Sequence, residues 1–296
     1  GSVMKMVTAA AAYERGVVRA ETPIEDSGKL QIGDRRVDDS DKRAMGWIPF
    51  QDVIAYSRNV GAARVAMMLA QDTRTSAITL YEMWNKLGIG QRTGVDVAGE
   101  VNGIVVDPRV KDWAEIDLAN RSFGQGVGVT PVQLAVAFSA MVNGGLRVRP
   151  RLVAAIGDEE TQPPTPTPVL KADLSAELRR LLVHVVTEVP RYATGTLIPG
   201  YAVGGKTGTA QIWDPHRNDW EPDLFNFSFV SFVGQSGPDA VIAVQIHRAR
   251  PLVKGQGDFR LPITSYELFR RIAVDTIGAL DIPPGQPAQT TGVSGP

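Results

Sequence analysis

The sequence predicts a mixed α/β fold of the α+β type, with an antiparallel sheet flanked by helices and an all-helical subregion. Three strand-like runs, 201–213, 225–233 and 240–248, follow one another with short connections, which is typical of an antiparallel meander. Segments with helical periodicity come before and after these runs. Strands and helices of this kind are expected to share one apolar core.

The first half of the chain is expected to be mostly helical. Residues 3–15 are rich in Ala and Met, and Gly16 stands where a left-handed C-cap is expected. Two further helices are predicted over 50–56 and 60–70. The polar residues between them, 57–59, are expected to form a turn that projects into a cleft.

Clear helix signals also mark the second half. Thr130 opens a capping box with Gln133, and the helix is expected to end at Asn143. Extended chain is predicted over 146–156, and an acidic, proline-rich loop over 158–168.

The next helix is predicted to be capped by Asp173, and its apolar stripe is Leu174, Leu178, Leu181, Leu182 and Val185. A last helix over 262–280 is expected to pack on the sheet. Residues 282–296, rich in Pro, Gly, Thr and Gln, are expected to be a disordered tail. The segment 213–224 reads as a loop, either a solvated hairpin or a flap beside a binding cleft.

Composition excludes several classes of function. The chain of 296 residues is 43% hydrophobic, enough for a substantial core, and its formal net charge of −1 gives no attraction for nucleic acid. The absence of Cys excludes disulfides, thiol catalysis and thiolate metal sites. The three His residues lack metal-ligand spacing, so no metal or other cofactor is predicted. No stretch reaches the ~18 apolar residues of a membrane span.

Three short motifs carry the chemistry that an acyl-transfer site needs. Ser2-Val3-Met4-Lys5 supplies a hydroxyl and an amine one helical turn apart, Ser57-Arg58-Asn59 supplies polar groups, and Lys206-Thr207-Gly208 supplies a cation for a carboxylate. Each motif has a plainer interpretation: an N-cap with a solvated lysine, a helix-breaking turn, and an edge-strand lysine that prevents aggregation. Their order along the chain favours the functional interpretation.

In this order, the motifs resemble those of β-lactamases and penicillin-binding proteins. The chain as a whole resembles the transpeptidase domain of a class B penicillin-binding protein from residue 1 to about residue 280. The resemblance rests on Gly1-Ser2-Val3-Met4-Lys5, Ser122-Phe123-Gly124-Gln125-Gly126, Val129-Thr130-Pro131-Val132-Gln133-Leu134, Asn143-Gly144-Gly145 with Pro150, and Val203-Gly204-Gly205-Lys206-Thr207-Gly208-Thr209-Ala210.

The resemblance implies a β-lactamase/transpeptidase-like fold and a D,D-transpeptidase that crosslinks peptidoglycan stem peptides through a serine acyl-enzyme. Ser2 would be the nucleophile, Lys5 its base, and Ser57 and Asn59 would complete the catalytic set. Substrate would be bound by Lys206, Thr207, Gly208 and Thr209, with Gly208 leaving room for the substrate backbone. The backbone N–H groups of Ser2 and Thr209 would form the oxyanion hole.

The chain departs from the family pattern in two ways. Arg58 stands where β-lactamase relatives carry Asp, which disfavours a lactamase more than a transpeptidase. The family also has about a hundred residues before its nucleophile, including two strands of the sheet. The expected domain is therefore residues 1–281 without that portion. Three explanations stay open: a second polypeptide supplies the missing strands, the chain is a fragment, or Gly1-Ser2 is left from cloning.

The alternatives are a D,D-carboxypeptidase, a β-lactamase and a non-catalytic β-lactam sensor. A lactamase needs a glutamate for its deacylating water, and Glu115-Ile116-Asp117-Leu118-Ala119-Asn120 is one residue out of register with the Glu-x-x-Leu-Asn pattern. A Ser-His-Asp triad also stays open, although the chain has no G-x-S-x-G elbow.

The resemblance also implies a cellular setting. The expected partners are stem peptides of the lipid-linked precursor polymer, β-lactam antibiotics, a membrane glycosyltransferase and other wall-synthesis proteins. The expected location is the extracytoplasmic face of the bacterial cytoplasmic membrane, with the anchor outside this chain. The first motif favours a division-type over an elongation-type enzyme, and both stay open.

Overall fold

The computed structural model describes residues 1–254 and 259–285. Residues 286–296 of the predicted tail lie outside this range, so its predicted disorder stays a prediction. The chain begins with a 3₁₀ turn (Ser2–Met4), then α1 (Lys5–Arg15), β1 (Pro23–Asp26), β2 (Lys29–Ile32), β3 (Arg35–Asp38), β4 (Gly46–Pro49), α2 (Phe50–Ala55), α3 (Asn59–Met67), α4 (Thr73–Lys86), α5 (Glu115–Ser122) and α6 (Pro131–Val142).

Short strands and longer helices follow: β5 (Leu146–Arg147), β6 (Ala155–Ile156), β7 (Glu159–Glu160), β8 (Thr167–Pro168), α7 (Ala172–Glu188) and α8 (Pro190–Thr196). The last part holds β9 (Ala202–Asp214), β10 (Asp219–Gly234), β11 (Ala240–Ala249), β12 (Val253–Lys254), β13 (Phe259–Arg260) and α9 (Ser265–Ala279). The predicted fold class, with an antiparallel sheet between helices, is confirmed.

The main sheet is an antiparallel meander in the order β11-β10-β9. Side chains of β10 alternate between its two faces, as a strand requires. Val230 and Phe232 join the large core around α1 and α7, whereas Phe229 packs on the other side against Phe269 of α9, with ring centroids 5.2 Å apart. The sheet is therefore covered on both faces, and β9 lies at its edge.

Helix α1 is the buried centre of the helical part. All of its residues from Lys5 to Ala12 are buried, so the helix is apolar around its circumference apart from Lys5 and Thr8. Gly16 ends it with a φ of 67°, a left-handed conformation that residues with a Cβ adopt less readily. The predicted helix and its C-cap are confirmed, except that the first turn is 3₁₀.

The structure corrects three local predictions. Helix α7 begins at Ala172 with Lys171 as N-cap, and Asp173 lies inside its first turn, where its carboxylate accepts from the N–H of Leu174. The loop between β9 and β10 is shorter than predicted, because Asp214 at the end of β9 pairs with Asp219 at the start of β10. The predicted loop over 158–168 contains β7 and β8.

Four short strands, β1 to β4, were not predicted from the sequence. They form two antiparallel pairs, β1 with β4 and β2 with β3, beside α3. Their position matters because the loop after β3 reaches the second motif. Within the described residues, no helix combines the length and apolar character needed to cross a membrane.

Candidate active site

The three motifs meet at one cleft of about 930 Å³. Side chains from each motif line it, together with aromatic rings and the loop after β3: Ser2, Asp38, Asp39, Ser40, Lys42, Tyr56, Ser57, Asn59, Phe123, Gln125, Arg191, Tyr192, Thr207, Thr209, Gln211, Phe225 and Phe259. Lys5 and Lys206 are buried beneath this lining. The structure thus brings together all eight residues that the sequence singled out, from segments up to two hundred positions apart.

The first motif is positioned by the buried helix α1. Ser2 lies in the 3₁₀ turn that leads into α1, and Lys5 is the first residue of the α-helix. Three positions of helix bring the Lys5 Nζ to 3.0 Å from the Ser2 Oγ. This distance allows direct proton transfer between the hydroxyl and the amine.

Lys5 is enclosed by oxygen atoms rather than by a carboxylate. Its Nζ lies 2.6 Å from the main-chain oxygen of Ser57, 3.2 Å from the Ser57 Oγ and 2.7 Å from the Asn59 Oδ1, besides its contact with Ser2. The Ser57 carbonyl and the Asn59 amide oxygen can only accept hydrogen bonds. A neutral Lys5 donates its two hydrogens to them and leaves its lone pair for the Ser2 hydroxyl.

The surroundings of Lys5 favour this neutral form. Burial and the positive charge of Lys206 lower the pKa of Lys5 well below its ordinary value, and the negative charge of Asp39 opposes this effect. A lysine with a lowered pKa can serve as a general base near neutral pH.

The second motif forms a strained turn between α2 and α3. Ser57 has a φ of 60°, a left-handed conformation that costs free energy for a residue with a Cβ. In this conformation both the carbonyl oxygen and the hydroxyl of Ser57 face Lys5. Asn59 is held by a hydrogen bond of 3.0 Å from its Nδ2 to the main-chain oxygen of Asp38, which directs its Oδ1 toward Lys5.

Arg58 points away from the cleft. Its guanidinium is buried, with Nε 2.7 Å from Asp26, Nη1 2.9 Å from Asp41 and Nη2 3.3 Å from Asp39. We refer to Arg58 and these three aspartates as the Arg58 cluster. From the sequence, Arg58 was recognised only as a departure from the family pattern. The density of Asp residues between positions 26 and 41 was the signal for its buried ion pairs.

The third motif lies on the edge strand β9. Lys206 is buried and donates to the Ser57 Oγ at 3.0 Å and to the main-chain oxygen of Thr207 at 3.1 Å. Burial, with a smaller effect of Arg191, lowers the pKa of Lys206 to about 7. Tyr192, which the sequence analysis also missed, places its hydroxyl 2.9 Å from that of Thr207.

Gly208 has a packing role in this structure. A Cβ at position 208 would lie 2.5 Å from the Ser228 Oγ and 3.3 Å from the backbone nitrogen of Val3. The glycine therefore lets β9 approach the 3₁₀ turn that carries Ser2. The predicted room for the substrate backbone at Gly208 stays a prediction.

Other candidate groups are engaged elsewhere. His184 Nε2 lies 2.7 Å from Asp52 and faces none of the three motifs through a described contact. Asp117, in the lactamase-like segment, accepts from the N–H of Ala114 and pairs with Arg121 within α5. Residues 1–254 and 259–285 contain no group of three or more acidic or His side chains that could hold a metal ion.

Comparison with known proteins agrees with this geometry. Residues 1–264 match the family model of the penicillin-binding protein transpeptidase domain. The chain is 32% identical over 256 residues to penicillin-binding protein PbpB of Mycobacterium tuberculosis, and 29% identical over 273 residues to stage V sporulation protein D of Bacillus subtilis. These matches cover 83% and 89% of this chain but 36% and 40% of the relatives, so the chain spans little more than a third of their length.

Solved structures give the same result. Penicillin-binding protein 3 from M. tuberculosis, complexed with ampicillin, superposes with a TM-score of 0.82 at 28% identity, covering 98% of this chain and 64% of that one. The transpeptidase domain of penicillin-binding protein 3 from Burkholderia pseudomallei superposes with a TM-score of 0.79 at 28% identity, covering 97% and 81%. The resemblance drawn from the motifs is confirmed, and the chain belongs to the penicillin-binding protein transpeptidase domain family.

Proposed function

We propose that this chain is the catalytic part of a peptidoglycan D,D-transpeptidase that forms a serine acyl-enzyme. The observation that carries the proposal is the position of Lys5, buried among uncharged oxygens with its Nζ 3.0 Å from the hydroxyl of Ser2. A serine is a weak nucleophile until a base takes its proton, and this arrangement supplies the base.

In the acylation step, the Ser2 Oγ bonds to the carbonyl carbon of the penultimate D-alanine while its proton passes to the amine of Lys5. The C–N bond to the terminal D-alanine then breaks, and the leaving amine takes a proton through the Ser57 hydroxyl, which contacts both lysines. Backbone N–H groups of Ser2 and Thr209 stabilise the oxyanion. Such a donor typically contributes a factor of about 10² to 10³ in rate.

The terminal carboxylate of the substrate is bound at the edge strand. Protonated Lys206 supplies the positive charge, and the hydroxyls of Thr207 and Thr209, which line the cleft, supply hydrogen bonds. Because the pKa of Lys206 is lowered to about 7, carboxylate binding weakens as pH rises above that value.

In the second step, the amine of a neighbouring stem peptide attacks the acyl carbon. A new amide bond forms, the Ser2–acyl bond breaks, and the Ser2 oxygen regains a proton. The same cleft accepts penicillin, whose acyl group resists this second attack. Solved relatives contain β-lactams, as in the ampicillin complex of the M. tuberculosis protein, which supports penicillin as the probe.

The names of the relatives support the biological assignment. The probable peptidoglycan D,D-transpeptidase FtsI of Caulobacter vibrioides is 28% identical over 245 residues, covering 80% of this chain and 38% of that protein. We therefore place the activity in wall synthesis outside the cytoplasm, with lipid-linked precursor polymer as substrate. A membrane glycosyltransferase and other wall-synthesis proteins would be its partners.

We further propose that the domain extends beyond the family match at residue 264 to about residue 281. Helix α9 buries Phe269 and Ala273 against the sheet, and Ile282 directly after it is also buried. Because α9 covers one face of the sheet, it belongs to the same folding unit.

The decisive experiment is intact mass spectrometry after a pulse of penicillin, followed over hours on protein that melts cooperatively. A lasting adduct mapped to Ser2, and absent from Ser2→Ala, is expected. An adduct that forms on Ser2→Ala would overturn the assignment of the nucleophile. An adduct that disappears within minutes would indicate a β-lactamase, and release of D-alanine from stem peptides without crosslinks would indicate a carboxypeptidase.

A further inference from the structure

We propose that the Arg58 cluster positions the second motif, with Arg58, Asp26 and Asp39 as positioning residues that fix Asn59 against Lys5 and set the charge beneath it. The proposal rests on the proposed function of Lys5. The side chains of Arg58, Asp26 and Asp39 are buried, so their effect passes through Asn59 and through the electrostatic field at Lys5.

Arg58 joins its own turn to two other segments of the chain. Its guanidinium contacts Asp26 of β1 at 2.7 Å and, in the loop after β3, Asp41 at 2.9 Å and the main-chain oxygen of Arg43. Its side chain is 5% exposed, and those of Asp26 and Asp39 are 0% exposed. Arg58 lies between Ser57 and Asn59 in sequence, so these contacts anchor the backbone of the second motif from behind.

Asp39 anchors the same motif from the other side. Its Oδ1 accepts from the backbone N–H of Asn59 and, at 3.3 Å, from that of Val60, which are the first two residues of α3. A carboxylate in this position caps the helix and complements its dipole. The adjoining Asp38 holds the Asn59 amide through its main-chain oxygen. A continuous set of contacts thus runs from Arg58 through Asp39 and Asn59 to Lys5.

The buried part of the Arg58 cluster is short of positive charge. Two buried carboxylates, Asp26 and Asp39, face one guanidinium, while the third carboxylate, Asp41, is 35% exposed. Within the described residues, the Asp26 Oδ1 has no hydrogen-bond partner, and the Asp39 Oδ2 has only its ion-pair contact with the Arg58 Nη2 at 3.3 Å. A proton on Asp39, hydrogen-bonded to Asp26, reduces the excess negative charge of this buried group.

The surroundings of Asp39 favour its protonated form. Burial and a hydrogen bond to Asp26 raise the pKa of Asp39 to about 6, against the opposing effects of Arg58 and of the N–H of Asn59. Asp39 and Asp26 in turn raise the pKa of Lys5, while Lys206 and Arg58 lower it. When Asp39 loses its proton above about pH 6, the added negative charge holds Lys5 in its inactive, protonated form more strongly.

Asp39→Asn tests this directly because asparagine still accepts from the N–H groups of α3 but carries no charge. The measurement is the second-order rate of acylation by penicillin from pH 5 to pH 9. We expect the rising limb, which reports deprotonation of the base, to move to lower pH by at least half a unit. The rate at its plateau stays within about threefold of the parent protein because the cap is kept.

Asp39→Ala removes the cap as well as the charge. We expect its acylation rate constant to fall at least tenfold, since Asn59 loses its orientation. The non-covalent affinity for penicillin should change less than threefold, because the residues that bind the carboxylate keep their positions. The matched control is Glu25→Gln, which removes a charge next to Asp26 on β1. Glu25 pairs with Arg64 at the surface, 2.8 Å away, and its variant should keep the parent pH profile.

Two outcomes would overturn the proposal: a cooperatively folded Asp39→Asn with the parent pH profile, or an Asp39→Ala that acylates at the parent rate. If Asp39→Asn does not melt cooperatively, Asp26→Asn replaces it as the test variant. The same shift of the rising limb to lower pH is then expected. A titration of Lys5 by the NMR shift of its ¹³Cε needs no penicillin. It therefore separates two failures. An unchanged pKa of Lys5 in Asp39→Asn would mean that this proposal is wrong, whereas the absence of an adduct on Ser2 would mean that the proposed function is wrong.

Discussion

The first and second motifs meet at Lys5 but are held in place by different forces. Ser2 lies in the 3₁₀ turn before α1, and Lys5 opens α1, which packs in the large apolar core, so their geometry follows from close packing. Ser57 and Asn59 sit on a strained turn that is held by one guanidinium and a set of carboxyl groups. Packing is insensitive to pH, whereas a carboxyl cluster titrates. The packing that positions Ser2 and Lys5 is therefore expected to be independent of pH, whereas the contacts that hold Ser57 and Asn59 are expected to respond to acidity.

The largest effect is expected where the two regions meet. Lys5→Met keeps the volume of the side chain and removes the base, so the rate of acylation by penicillin should fall by a factor of about 10² to 10⁴. Thermal melting should show a folded protein, because Lys5 is buried with a lowered pKa and its charged form has no carboxylate partner in direct contact. Acylation of Lys5→Met at the parent rate would remove Lys5 from the mechanism.

Breaking the second region should cost stability in a pH-dependent way. Arg58→Met leaves Asp26 and Asp39 buried without their cation, and we expect the free energy of unfolding to fall by about 3 to 5 kcal/mol at pH 8. The loss should be smaller at pH 5, where Asp39 is protonated. Urea unfolding at the two pH values measures this. Arg64→Met, which breaks a partly exposed pair with Glu25, should cost no more than about 1 kcal/mol.

Breaking the first region should show no such pH dependence. Ala10 of α1 is 0% exposed, and Ala10→Leu forces extra volume into the packed core. We expect a loss of about 1 to 3 kcal/mol in the free energy of unfolding. The loss should be equal at pH 5 and pH 8. A clear difference between the two values would contradict the distinction between the packed and the ionic region.

The pH dependence of stability sharpens the comparison further. The pKa of Asp39 is raised to about 6 in the folded protein from an unfolded value near 3.8, so its protonated form stabilises the fold. This contribution is present below about pH 4 and is lost as pH rises through 6. Relative to Asp39→Asn, which does not titrate, the parent protein should lose about 1 to 3 kcal/mol between pH 4 and pH 7.

The smallest effect is expected away from both regions, in the β9–β10 hairpin. Trp213 and Trp220 meet edge to face with ring centroids 5.3 Å apart and are both partly exposed. Trp220→Ala should cost about 0.5 to 1.5 kcal/mol in stability. If this hairpin helps to recognise the stem peptide, the variant should also change substrate preference. Unchanged acylation rates and preference would leave the pair with a structural role alone.

The sequence by itself predicted those features that depend on neighbouring residues. The meander, the capping box at Thr130 and the helix that ends at Gly16 follow from local periodicity and capping, and all three are confirmed. The approach of Lys5 to Ser2 is also local, because three positions on a helix span one turn. One local prediction was wrong: Asp173 was predicted to be the N-cap of α7, whereas Lys171, which has no capping side chain, occupies that position.

Only the tertiary structure decided how the motifs are held. Ser57 and Asn59 reach Lys5 across more than fifty positions, and Lys206 reaches Ser57 across 149. The carboxylates of the Arg58 cluster come from β1 and from the loop after β3, which no periodicity predicted. The close approach of β9 to Val3, which a side chain at Gly208 would prevent, was also not predicted. The physical reason is that charge balance and close contact depend on which segments pack together. A motif records which groups are present, and the fold determines what surrounds them.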